Sequence, residues 1–117
     1  MKLIDAKNLD YKTLNEELRQ ADGDCTIDGC CGQRFIAAGM SDKTLIINGI
    51  PGNALGAYLN NANITVNANA QDAVGDTMNE GKILIHGITN CILCICIYCD
   101  ISIVKVCTKC IAGNTID

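Results

Sequence analysis

The sequence predicts an all-β protein built as a solenoid of stacked coils, about 19 residues per coil, with a helix capping its N-terminal end. Three observations predict it. Leu45, Ile64 and Ile83 recur at one interval of nineteen residues, and Ile47, Val66 and Ile85 recur at the same interval. Gly56 is followed by Gly75, and Asn53 by Asp72, at that interval again. Finally, no stretch of the repeated unit carries the 3.6-residue apolar stripe of a helix, whereas the alternation in Ile-x-Ile fits a strand.

In chain order, Met1 to Ala6 reads as a short strand around Leu3 and Ile4. A helix opens at Asn8 to Asp10. Asp10 can cap one frame, and Thr13 with Glu16 makes a capping-box pattern for another. Leu14 and Leu18 share one apolar edge, with Lys12, Glu16, Glu17 and Arg19 facing water. Asp22-Gly23 ends it. The helix suits a cap over the first open coil better than a docking element, because terminal repeats need such a cover. The repeat begins near Cys25: Gly29 precedes Gly49, and Gly32 precedes Gly52, by twenty residues, so this first unit has one residue inserted. Each later unit has a strand pair, a Gly- and Asn-rich turn, and a second apolar stretch (Ala54-Leu55, Ala73-Val74). The expected organisation is residues 1–23 as cap, 24–87 as coils, and 88–117 as a divergent Cys-rich final coil or tail.

Composition limits the function classes. A chain of 117 residues is one small domain with a modest core. Hydrophobic residues make up 49% and aromatics 3%, so the core is Ile, Val, Leu, Ala and Cys. A net charge of −4 argues against nucleic acid and against an anionic membrane surface. The opening MKLIDAKNLD lacks the apolar run of a signal peptide, which points to the cytoplasm. Asp100 interrupts the apolar run that starts at Cys91, leaving it too short to span a bilayer.

The glycines of GIPGNALG do not make a nucleotide loop. Gly49, Gly52 and Gly56 are spaced G-x-x-G-x-x-x-G with no following Lys-Ser/Thr pair, and their recurrence in later units marks corners. From Thr44 to Gln71 there is no charged residue but there are seven Asn. Asn accepts left-handed backbone, and recurring Asn can stack in hydrogen-bonded ladders.

The phrases GQRFIAAGM, GNALGAYLNNANITVNANAQDAVGDTMNEGKILIHG and IDAKNLDYKTLNEELRQA resemble the GXGXG domain, over about residues 3–87. That family includes the C-terminal domain of the glutamate synthase large subunit and one of the subunits of formylmethanofuran dehydrogenase. The resemblance implies a right-handed parallel β-helix. It also implies a structural role, bracing a glutaminase domain against a flavin-containing synthase domain, with no catalytic residue and no cofactor of its own. The N-terminal nucleophilic Cys of the glutaminase has no counterpart, since Met1 is followed by Lys2. Asn61, Ala68 and Asn69 stand where the family pattern keeps Gly. After Gly87 the departure widens, although Ile101 and Ile103 repeat the strand pair with one residue lost.

That last stretch holds three C-x-x-C pairs: Cys91/Cys94, Cys96/Cys99 and Cys107/Cys110. Paired thiolates at this spacing could grip zinc or an iron–sulfur cluster. Against a metal, the pairs enclose bulky apolar residues (Ile92-Leu93, Ile97-Tyr98) with no Gly or Pro for a knuckle, and the run does not match a ferredoxin's. Buried Cys in strands is the preferred reading, ahead of metal and of redox or disulfide chemistry. A frame-disrupted end of a once longer repeat is a further alternative. His86 falls at the position of Asn48 and Asn67 and reads as a corner residue rather than a ligand, Cys30-Cys31 read as plain thiols, and Asp72 and Asp76 do not form an acid–base pair.

These readings converge on a non-catalytic structural or assembly subunit related to glutamate synthase. Its expected partners are protein subunits of the flavin-containing synthase or glutaminase type, or further copies of itself in a homo-oligomer. The alternative is a zinc or iron–sulfur module through the tail cysteines.

Overall fold

A computed structural model describes residues 1–87, 91–93, 98–103, 110–112 and 115–116. The first strand, β1 (Lys2–Asp5), leads into α1 (Tyr11–Gln20) and returns as β2 (Cys25–Cys31). Then come β3 (Thr44–Ile50), β4 (Asn60–Val66), β5 (Glu80–Ile85), β6 (Cys91–Leu93), β7 (Tyr98–Ile103), β8 (Cys110–Ala112) and β9 (Thr115–Ile116). Strands β1 to β5 line up in sequence order in one parallel sheet that continues through β7 and β9, while β6 and β8 pair separately.

The nineteen-residue spacing is the register of this sheet. Leu45 pairs with Ile64 and Ile64 with Ile83, and Ile47, Val66 and Ile85 follow two residues on. Ile83 pairs with Ile101 and Ile85 with Ile103, one residue short of the period as expected. The extra residue of the first unit is absorbed by a bulge: Asp28 pairs with Asn48 but Cys30 with Gly49, leaving Gly29 unpaired. Alternation puts Ile27, Leu45, Ile47, Ile64, Val66, Ile83 and Ile85 on the buried face.

The expected all-β right-handed β-helix is overturned. The described residues form a small domain with an open parallel sheet and one helix, an α/β-like arrangement rather than a solenoid. Two findings overturn it. First, β1 and β2 are joined by α1, so the opening unit is a strand–helix–strand crossover, the usual way to connect parallel neighbours. The helix is thus a crossover element and not a lid on a coil. Second, the second apolar stretch of the unit, after β2, β3 and β4, is a run of turns. Phe35, Ala37 and Gly39, then Ala54, Gly56 and Tyr58, then Ala73, Gly75 and Thr77 all have positive φ, between 55° and 70°. Backbone that turns left-handed at every second residue cannot pair as an extended strand.

These turns still close the core. Ile36, Leu55, Leu59, Val74 and Met78 are buried from the turn side, Leu14 and Leu18 from the helix, in one cluster with the sheet. Each turn hangs on the next by backbone bonds such as Phe35 N to Asn53 O at 2.9 Å and Tyr58 N to Asp76 O at 2.8 Å.

Helix α1 starts where Asp10 accepts from Thr13 N at 2.7 Å, so Asp10 and not Thr13 is the cap. This bond holds the Asp10 carboxyl below its ordinary value. At the other end Lys43 Nζ donates to Ala21 O at 2.6 Å and to Gly23 O at 3.0 Å, covering free carbonyls. Buried Asn15 joins helix to turn, donating to Phe35 O at 2.8 Å and accepting from Ala37 N at 2.8 Å. The Asn residues do stack: Asn67 donates to Asn48 and Asn48 to Asp28, each at 2.9 Å.

Candidate functional site

The tail cysteines fall unevenly. Cys91 and Cys110 occupy one register position of the β6–β8 pair, and Cys99 lies in β7 opposite Gly81. Cys94, Cys96 and Cys107 lie outside the described residues, as does the whole of segment 94–97. Among the described residues no three His, Cys, Asp or Glu side chains gather to hold a metal ion. No described helix is long and apolar enough to cross a membrane.

The other candidates are in place. His86 donates its backbone N–H to Val66 O at 2.9 Å, on the row of Asn48 and Asn67. Cys25, Cys30 and Cys31 are free thiols. Cys30 is buried, and desolvation raises its thiol to about 11, so it stays protonated at neutral pH. Asp72 takes a turn bond, its N–H donating to Asn53 Oδ1 at 3.1 Å, and Asp76 accepts from Thr77 Oγ1 at 2.9 Å.

A crevice of about 660 Å³ opens at the carboxyl ends of β1 and β2. One wall is the β1–α1 connection, with Lys7, Leu9 and Tyr11; the other runs from Gly29 to Arg34. Gln33 clasps the two walls. Its Nε2 donates to Ala6 O at 2.9 Å and Leu9 O at 3.0 Å, while its Oε1 accepts from Cys31 N at 2.7 Å. The Arg34 guanidinium lies 5.0 Å from the Tyr11 ring centroid and 5.6 Å from that of Phe35. The two rings are themselves 5.7 Å apart, tilted by 54°. Among the described residues the one ion pair is Arg19 with Glu16, so Lys7 and Arg34 carry no paired carboxylate.

Sequence reasoning missed this crevice. Its walls come from two separate segments of the chain, Lys7 to Tyr11 and Gly29 to Arg34, and Gln33-Arg34 falls within a stretch that the repeat pattern explains as a turn. A helix capped by Asp10 after a strand was the one available signal, since in parallel sheets the space beyond the strand ends is where ligands sit.

A family model described as the GXGXG motif matches residues 8–116, running through the segment after Gly87 that the sequence pattern set apart. An uncharacterized protein of Methanocaldococcus jannaschii is 39% identical over 85 residues, which cover 66% of this chain and 33% of that protein. The chain therefore spans about a third of that relative's length. No solved structure matches.

Proposed function

We propose, from the premise that the chain belongs to the GXGXG motif family, a domain related to glutamate synthase, that it serves as a non-catalytic structural element in the cytoplasm, bracing partner subunits. The observation that carries this reading is the one-sided cover of the sheet. Purely parallel sheets are generally covered on both faces. Here one face packs on α1 and the turns, whereas the other presents the register row Leu3, Thr26, Ile46, Thr65 and Leu84, each at least partly exposed. That row is the face offered to a partner of the flavin-containing synthase or glutaminase type, or to a second copy.

The test is reconstitution. The chain alone turns over neither glutamine nor 2-oxoglutarate, and it co-elutes in gel filtration with a flavin-bearing synthase subunit. Ile46→Glu, at the middle of the row, abolishes co-elution without lowering the melting temperature. Turnover by the isolated chain, or co-elution unaffected by Ile46→Glu, would overturn the reading.

A second reading, a zinc or iron–sulfur module formed by Cys91, Cys94, Cys96, Cys99, Cys107 and Cys110, is supported by the shared register of Cys91 and Cys110. Metal analysis of protein purified without chelator decides it: about one metal site per chain favours the module, and none removes it.

A further inference from the structure

We infer that the crevice beyond β1 and β2 is a binding site for a small organic anion, its carboxylate or phosphate held by Lys7 and Arg34 and its carbon body against Leu9. The inference does not depend on the bracing role, since the crevice lies at the strand ends and not on the exposed sheet face. Four observations carry it.

The first is position and size. The crevice lies beyond the carboxyl ends of two parallel strands, and about 660 Å³ is within the range of small-molecule pockets and far beyond what one inorganic ion fills. The second is preorganisation. Gln33 makes three hydrogen bonds that fix one wall to the other, so little ordering remains to be done on binding. The third is the state of the cations. Arg34 is held over two rings, which limits its rotamers while leaving its fork of N–H donors unpaired with any described carboxylate. Lys7 lines the same space.

The fourth is where negative charge already stands. Asp10 lines the crevice with one oxygen committed to Thr13 N, and Asp5 accepts from Lys7 N at 3.0 Å near Gly29. These acids repel an anion from the cap and strand side and leave the Lys7–Arg34 side as its seat. In a protein of net charge −4, two unpaired cations on one preformed crevice are a selective feature rather than a general basic surface.

The test uses the full chain, ¹⁵N-labelled, titrated separately with succinate, with glycerol 3-phosphate and with neutral succinamide. The expected result is saturable shifts of amides in 7–12 and 29–35, half-complete near or below about 1 mM, with one of the two anions and none with succinamide. Whichever anion saturates identifies the acidic group as carboxylate or phosphate. Arg34→Gln and Lys7→Gln each weaken binding by about 10-fold, Arg34→Lys recovers part of the loss, and Lys82→Gln on the far sheet face changes nothing. Should Arg34→Gln unfold the chain, Lys7→Gln, in an exposed connection, carries the test. Equal shifts with succinamide, no saturation with either anion, or full affinity in Lys7→Gln overturns the inference.

Discussion

The two halves of each repeat obey different rules. In the sheet half the side chains do the specifying: apolar residues alternate inward, and any β-branched shape serves, as Ile64, Val66, Ile83 and Ile85 do. In the turn half the backbone does it. Nine residues in three turns share left-handed φ at alternate positions, yet only Gly39, Gly56 and Gly75 are glycines there, and Phe35, Ala37, Ala54, Tyr58, Ala73 and Thr77 bear the strain of a side chain. That alternate spacing is the one the family motif spells. What the turns share is therefore a conformation, even where the residue is not the glycine that favours it.

The comparison implies that both halves contribute to one core. Truncating Leu55 in the turn or Ile64 in the sheet, both essentially fully buried, costs about 3 kcal/mol in each case by urea denaturation. A loss below about 1 kcal/mol for Leu55→Ala would reduce the turns to a loose covering. Next in size, Gly75→Ala costs about 2 kcal/mol. Its φ is 70°, and a Cβ there would stand 2.6 Å from Ile101 Cδ1 and 2.9 Å from Met78 Sδ.

A sharper contrast comes from one chemical change with opposite signs. Ala62→Gly in strand β4 destabilises by about 1 kcal/mol, because glycine loses more backbone freedom on folding. Ala73→Gly in the turn stabilises by roughly 0.5 kcal/mol, because relief of left-handed strain exceeds that same entropy cost. Equal signs in the two melting curves would break the comparison.

The smallest effect is a pH dependence at Cys30, on the bulged strand β2. Its folded thiol lies at about 11, above the ordinary thiol value, so the folded state holds the proton more firmly than the unfolded one. The associated stability is fully present below the ordinary value and fades as pH rises towards 11. Melting temperatures between about pH 8 and 11 should fall more steeply for the parent than for Cys30→Ala.

The sheet half was legible in the sequence because burial writes itself as a period. Leu45, Ile64 and Ile83 disclose the register, and the lost residue before Ile101 shows as a shortened interval. The turn half was not. Ala54-Leu55 and Ala73-Val74 show only as apolar stretches because nothing in an alanine signals a positive φ, and the solenoid was read from the period. Asn15 was equally silent, a polar residue on a polar helix whose amide happens to meet Phe35 O and Ala37 N. The crevice could not be read because it depends on Gln33 reaching back more than twenty residues.

The amide row across the sheet has a sense of direction. Asn67 donates to Asn48 and Asn48 to Asp28, and a carboxylate has no N–H to pass further. The row runs from Asn67, just after β4, to Asp28 in β2, where it is terminated. Its amide dipoles therefore add instead of cancelling, so the two ends of the row are electrically unlike. A group that continues the row in the same sense does so by donating to Asn67 Oδ1.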